Sequence, residues 1–272
     1  MASRGNYNNY EEDKSMSEIY DDGIKEIITD FTEKQSKVVL WDFDSMLHHC
    51  LYSGKNEAGE RNPEYTEDDL EMLQGKLTEM TLKVLNNIEK YYNIIACYIF
   101  IKGNKTFRKE IYPEYKAHRP PAHPLLGKLY DYVKVAHQAI ESGNMEAEDM
   151  VYEVSKKIDN NGLIVYVDHD LLEIPSLFYN YQKNKWHKVT EEEALWNEYN
   201  KYVKGEQGDG VNLCKGVGQK FFEKTFKKGM SIEDYEKGLF TCFMKAYKND
   251  EKLALENMNL TKRLLGLKYA KL

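Results

Sequence analysis

Eight carboxylates stand where the chain is expected to turn, and loops at element ends are where functional side chains concentrate. Asp42 ends the apolar run Val38-Val39-Leu40-Trp41-Asp42, and Asp168 and Asp170 flank a single residue after a later run. Glu146, Glu148 and Asp149 crowd the start of a helical pattern, while Glu206 and Asp209 lie in the turn Gly205-Glu206-Gln207-Gly208-Asp209. Singly, each has a commonplace use: such acids form turns, offset a helix dipole, or bond their own backbone. Brought into one crevice they would repel one another unless cations neutralised them, and an all-oxygen donor set favours Mg²⁺ or Mn²⁺. Two ions about 4 Å apart can hold the attacking water and the leaving oxygen of a phosphodiester in line. Phosphodiester hydrolysis is the chemistry this set implies.

Two basic segments accompany the acids. Residues 107–121 interleave Arg108, Lys109, Lys116 and Arg119 with Tyr112 and Tyr115. Arg and Lys can hold phosphate oxygens and Tyr rings can stack on unpaired bases, which suits a single-stranded end. The plain alternative is a solvated, proline-broken loop. Residues 205–220 carry Gly216 and Gly218 beside Lys215 and Lys220. Glycines let backbone N–H groups approach phosphates, a contact that positions a duplex without reading its sequence; the plain alternative is a flexible connector. The net charge of −7 opposes a polyanion partner only if it is evenly spread. Here acids collect in the first 36 residues, in 64–71 and in 191–193, whereas bases collect in 102–119 and 215–228. A locally basic surface survives the sum. The seven histidines form no H-x-x-H or H-E-x-x-H spacing, and His169 should point away from the acids on either side of it.

The elements that must position these groups can be read coarsely. Residues 38–43, 94–101 and 163–167 are continuous β-prone apolar runs, as expected of buried parallel strands, the last following the turn signal Asp159-Asn160-Asn161-Gly162. Thr66 should cap a helix with Leu70, Leu73, Leu77, Val84, Leu85 and Ile88 on its apolar face, and residues 125–140 and 146–158 are also helical in period. A short helix is expected near Ser17. Alternating strands and helices imply an α/β fold with a mainly parallel sheet, whose ligands collect outside the C-terminal strand ends. From Ala194 onward the pattern is helix and loop. The expected division is a polar acidic tail over 1–36, an α/β domain over 37–193 and a helical subdomain over 194–272, and 272 residues suffice for it. Hydrophobic residues make up 42% and charged residues 31%, and no apolar run approaches the roughly 20 residues of a membrane span. The N-terminus has no secretory pattern, so an intracellular protein with no membrane partner is expected. Cys50, Cys97, Cys214 and Cys242 form no C-x-x-C pair and read as reduced thiols.

In this order the motifs resemble the 5′-nuclease superfamily: flap endonucleases, the 5′-nuclease domain of bacterial DNA polymerase, phage 5′–3′ exonucleases and phage-type ribonuclease H. The resemblance runs over residues 38–228. Asp42 is similar to the family's first metal-binding Asp. Phe107-Arg108-Lys109-Glu110 through Tyr115-Lys116-Ala117-His118-Arg119 resembles the segment with Y-K-x-N-R at a helical arch, placed here near 103–124. That gives Lys116, Arg119 and Arg108 a role at the scissile phosphate. Glu146-Ala147-Glu148-Asp149 stands where the family shows E-A-D-D, Asp168-His169-Asp170 matches D-x-D, and the turn holding Glu206 and Asp209 matches G-D-x-x-D. Lys215-Gly216-Val217-Gly218-Gln219-Lys220 is similar to the G-x-G-x-K of a helix-three-turn-helix that grips duplex DNA and a monovalent cation, K⁺. This chain departs in having Glu at positions 148 and 206, His118 for Asn, and no acid after the second strand, where it reads Ile101-Lys102-Gly103-Asn104.

The resemblance implies a PIN-like α/β domain with an arch and a helix-three-turn-helix, two Mg²⁺ or Mn²⁺ ions, and cleavage near 5′ ends of DNA, flaps or RNA–DNA hybrids. It implies 5′–3′ exonuclease or flap endonuclease work in replication or recombination of a phage-like genome, in the host cytoplasm; the acidic tail is a candidate segment for contact with a replication protein. Two further readings stay open. One is a structure-specific DNA-binding protein that kept the scaffold and lost cleavage; the other is a PIN-like ribonuclease, which has no need of the glycine-lysine segment. Exonuclease against flap preference and oligomeric state are also open.

Overall fold

The computed structural model of the chain describes residues 34–52, 65–158 and 162–270. The tail as far as residue 33, the helix expected near Ser17 and most of the turn at 159–162 lie outside the described residues. Strands β1 (Ser36–Asp42), β2 (Asn93–Ile101), β3 (Ile140–Glu141), β4 (Leu163–Tyr166), β5 (Ser176–Asn180) and β6 (Lys185–Val189) form one sheet. Their order is β3-β2-β1-β4-β5-β6, and every neighbouring pair is parallel except β5 with β6. The sheet is thus mainly parallel, as the alternating pattern predicts.

The apolar runs are continuous because both faces of the sheet are covered. Val39 and Trp41 of β1, with Phe43, face a core built with α1 (Asp44–Tyr52), α2 (Leu70–Glu89) and α4 (Pro124–Ala136). Leu40, between them, points to the other side and packs with Ala147 and Val151 of α5 (Ala147–Lys157). In α2 the buried residues are Leu73, Leu77, Thr81, Val84 and Ile88, one stripe at helical spacing. Thr66 stands one turn earlier than the α-helix and caps a 3-10 turn at Glu67–Asp69, its N–H donating to Asp69 Oδ2 at 2.7 Å.

Three sequence expectations change. The helix drawn to residue 140 stops at Ala136, and Ile140 instead pairs with Phe100 as the edge strand. Strands β5 and β6 were not foreseen; they form a hairpin whose last strand is polar and half open to solvent. The segment at 103–124 holds one five-residue helix, α3 (Phe107–Ile111), followed by turns, and no longer arch helix. Pro113, Pro120 and Pro121 explain this, since each removes a backbone donor and forbids the helical conformation just before it.

Beyond β6 come α6 (Glu191–Lys204), α7 (Gln219–Thr225), α8 (Ile232–Ala246) and α9 (Glu251–Leu265), packed around an aromatic core of Tyr199, Tyr202, Phe222, Phe226, Tyr235 and Phe243. Among the described residues no helix is long and apolar enough to cross a membrane. The four cysteines are free thiols, three of them buried.

Candidate active site

The acids come together at the C-terminal edge of the sheet. Asp42 is the last residue of β1 and is buried. Asp168 follows β4 and its Oδ1 accepts the Asp170 N–H at 3.2 Å, capping the 3-10 turn His169–Glu173. Glu146 caps α5 and Asp149 sits in its first turn, with Asp149 Oδ2 accepting the Glu146 N–H at 2.9 Å. Glu206 and Asp209 are presented by a tight turn that needs its glycines. Gly205 ends α6 at φ 71°, and a Cβ there would come within 2.3 Å of the Val211 carbonyl; Gly210 closes the turn at φ 74°. Glu206 Oε1 accepts the Gly208 N–H at 3.1 Å.

Residues after α3 fold down onto these acids. Tyr115 is buried, its hydroxyl 2.7 Å from Glu146 Oε2 and 2.8 Å from Asp209 Oδ2, one proton serving two acceptors. Lys116 Nζ reaches Glu146 Oε1 at 2.5 Å and Asp209 Oδ1 at 3.6 Å. Its backbone takes φ 55°, a left-handed conformation costly for a residue with a Cβ, and is pinned there by donating to the Asp209 carbonyl at 2.8 Å. Arg119 is more open and donates to the Gly208 carbonyl at 2.9 Å and to Asp209 Oδ1 at 2.8 Å. Burial pushes the Glu146 carboxyl upward, but Lys116 and Arg108 outweigh it and hold the group down at about 2.

Not every predicted site residue faces this edge. Arg108 lies beneath it with its guanidinium buried, donating to Asp149 Oδ2 at 2.5 Å, to Asp149 Oδ1 at 2.7 Å and to the Leu264 carbonyl of α9 at 2.8 Å. Tyr115 was expected to stack on bases; its ring is enclosed in the helical core and cannot do so where it stands. Tyr112 is half buried against the same core. Lys215, Gly216, Gly218 and Lys220 are all exposed, the first three on a loop anchored by buried Cys214 and Val217 and by the Tyr247 hydroxyl donating to the Leu213 carbonyl at 2.9 Å, and Lys220 in the first turn of α7 that follows it. Two residues were missed. Lys201 of α6 is an internal counter-ion, paired with Glu173 and lying 3.6 Å from Asp170 Oδ1. Asp44, two residues past Asp42, joins the acids; the doublet Asp42-Phe43-Asp44 was the available signal, hidden because an Asp that opens a helix usually serves only its dipole. A cavity of about 300 Å³ lined by Tyr152, Glu173, Glu198 and Lys268 includes none of the eight acids.

Charge is unevenly compensated across the site. Glu146, Asp149, Asp170 and Asp209 have cationic partners, while Asp42, Asp44, Glu148 and Asp168 have no ion pair among the described residues. Burial, then Asp44 and Asp168, push the Asp42 carboxyl well up; burial, then Glu146, with Asp42 and Asp149 adding, does the same to Glu148. Such crowding of oxygen-only donors is what a hard divalent cation would offset. Among the described residues no three His, Cys, Asp or Glu side chains are yet gathered closely enough to enclose an ion. The crowded, unpaired oxygens suit a divalent cation in chemistry and charge, and as placed they stand too far apart to enclose one.

The chain belongs to the 5′–3′ exonucleases: the family model described as "5'-3' exonuclease, N-terminal resolvase-like domain" matches residues 24–200. It is 22% identical over 253 residues to a 5′–3′ exonuclease of Buchnera aphidicola subsp. Schizaphis graminum, covering 84% of this chain and 83% of that protein. It is 25% identical over 229 residues to DNA polymerase I of Caldicellulosiruptor bescii, covering 75% of this chain and 26% of that protein, so it spans about a quarter of the polymerase. Among solved structures, the T5 D15 protein co-crystallised with metal ions superposes with a TM-score of 0.56 at 14% identity, over 87% of this chain and 93% of that one. The bacteriophage T5 D15 flap endonuclease variant in a complex with DNA and metal ions gives a TM-score of 0.55 at 14% identity, over the same shares. At these identities the likeness is one of fold.

Proposed function

We propose that this protein is a divalent-metal-dependent nuclease that hydrolyses phosphodiesters near 5′ ends of DNA or RNA–DNA, as a 5′–3′ exonuclease or flap endonuclease. The observation that carries the reading is the meeting of Lys116 and Arg119 with acids from β1, β4, α5 and the Gly205 turn at one sheet edge. Family membership and the naming of metal ions and DNA in the T5 structures support it. Mg²⁺ or Mn²⁺ would be held by Asp42, Glu148, Asp168 and Asp170, with Glu146, Glu206 and Asp209 at the margin, and when bound would supply an activated water and neutralise phosphate charge.

The chain's own residues do the rest. Lys116 is held above the acids by a strained backbone and can exchange Glu146 for a phosphate oxygen at little cost in geometry. Arg119, the more exposed cation, can fork onto a neighbouring phosphate. Tyr115 ties Glu146 to Asp209, so two acids from different elements keep one spacing as Lys116 moves. Arg108 and Asp149 act as positioning residues that fix the start of α5, and with it Glu146 and Glu148. Lys215, Gly216, Gly218 and Lys220 are suited to gripping a duplex backbone, with K⁺ as a candidate ion for that loop. The acidic tail is a candidate contact for a replication protein.

A second reading, a DNA-binding protein without cleavage, draws on the cationic partners already present on Glu146, Asp149 and Asp209. One assay separates the two. A 5′-end-labelled flap duplex incubated with Mg²⁺ or Mn²⁺ should release short labelled products, and Asp168→Asn should abolish the release while retaining binding. Tight binding by the wild type with no product in either metal would establish the second reading.

A further inference from the structure

The geometry points to Asp44 as a metal-binding carboxylate of this site, supplying from the start of α1 the acid that β2 lacks at its own C-terminal end. This rests on the metal-dependent reading above and adds a residue to it. Asp42 lies opposite Phe100, and one residue further on the buried Phe43 donates its N–H to the Phe100 carbonyl at 2.9 Å. The chain leaving β1 therefore remains bound to β2, and the next residue, Asp44, arrives beside Lys102, the first residue after β2. The end of β2 reads Phe100-Ile101-Lys102-Gly103 and brings no carboxylate.

Asp44 also fails to behave as a helix-opening acid ordinarily does. The turn at the start of α1 is bonded by Asp42, whose Oδ1 accepts the Asp44 N–H at 3.2 Å and whose carbonyl accepts the Ser45 hydroxyl at 3.2 Å. The Asp44 side chain reaches away from its own helix. Its Oδ1 accepts the Lys102 N–H at 3.1 Å and the Tyr130 hydroxyl of α4 at 3.0 Å. Oδ2 has no hydrogen bond among the described residues, and no described Lys or Arg forms an ion pair with the carboxylate. Lys102 acts on the carboxylate only at longer range, its ammonium lying over the Tyr130 ring at 5.5 Å. A half-buried carboxylate oriented by donors from two other elements, with one oxygen left over and with Asp42 and Glu146 as charged neighbours, has the arrangement of a ligand supported by its outer shell.

The test is calorimetric titration of the DNA-free protein with MnCl₂, comparing the wild type with Asp44→Asn, Asp168→Asn and Tyr130→Phe. Asparagine keeps an oxygen for both donors and removes only the charge, so Asp44→Asn should retain its circular dichroism and melting temperature. It should weaken Mn²⁺ binding by about tenfold or more, with a smaller loss for Tyr130→Phe, which removes one supporting bond. If Asp44→Asn does not fold, Tyr130→Phe with Asp44 intact still bears on the inference: its Mn²⁺ affinity should fall several-fold. Unchanged affinity in Asp44→Asn, or in Tyr130→Phe where only that variant folds, together with loss in Asp168→Asn, would overturn the inference and leave the site reading intact. A wild type that binds no Mn²⁺ would overturn both.

Discussion

At the residue scale, environment decides what a charged side chain does, and Arg108 is the clearest case. In sequence it is one more base in a basic loop and is expected to touch phosphate. In the fold it is buried, fully engaged by Asp149 and the Leu264 carbonyl. Side-chain type was legible and burial was not, because the partners lie 41 and 156 residues away. Breaking a buried pair leaves its other half charged and unpaired, which costs about 3–5 kcal/mol. Arg108→Met should therefore lose stability of that order in denaturant unfolding. Asp149→Asn should lose a comparable amount: its oxygen still accepts from Arg108 and from the Glu146 N–H, but its NH2 faces the second guanidinium donor and the Arg108 charge loses its main partner. A loss below about 1 kcal/mol in Arg108→Met would mean that the pair is a surface-like contact and that Arg108 is free to serve substrate. Tyr115 teaches the same lesson: an aromatic ring in a basic loop invites a stacking role, yet this ring helps to join the loop to the acids beneath it.

At the scale of elements, the strands that carry Asp42 and Asp168 were legible because a strand covered on both faces reads as an unbroken apolar run. β6 was not, since Lys185-Trp186-His187-Lys188-Val189 is the polar edge of the sheet, and β3 escaped because two residues carry no period. The helical subdomain was legible only as helices; the ties between them, an aromatic core and long-range polar bonds, were not. Glu236 on α8 accepts from the Tyr199 hydroxyl of α6 at 2.6 Å and pairs with Lys262 of α9, so one carboxylate links three helices. Burial raises its pKa, and the hydrogen bonds from Lys262 and Tyr199 outweigh that and hold it below 4.5. A carboxylate with a lowered folded-state pKa adds stability that is present above its unfolded value and is lost as pH falls through the folded one. Glu236→Gln should thus be less stable than the wild type at pH 7, and the gap should narrow as pH falls below about 4.5. Urea unfolding of both proteins across that range checks it. A gap that stayed constant with pH would assign the contribution of Glu236 to packing and not to charge.

At the scale of the whole molecule, a net charge of −7 has to coexist with a polyanionic substrate, and segregation makes that possible. The acids that ring the site are partly neutralised from within by Lys116, Arg119 and Lys201, while Lys215 and Lys220 remain in solvent, on a loop anchored to the helical core and on the first turn of α7 beyond it. The two basic regions should therefore contribute differently. On the proposed reading Lys116 and Arg119 would act where the reacting phosphate sits, so their loss should fall on turnover. Lys215 and Lys220 would act on phosphates away from it, so their loss should fall on binding. Each phosphate neutralised contributes about 0.9 to the slope of log affinity against log salt. Replacing both Lys215 and Lys220 with Gln should then reduce that slope by up to about 2 for a flap duplex, as measured by fluorescence anisotropy with the metal omitted. Cleavage of bound substrate in a single turnover should stay close to the wild-type rate. A slope unchanged on duplex would remove the clamp from the mechanism and favour the reading as a nuclease of single-stranded RNA, because an enzyme that receives only a single strand has no duplex backbone for this loop to hold.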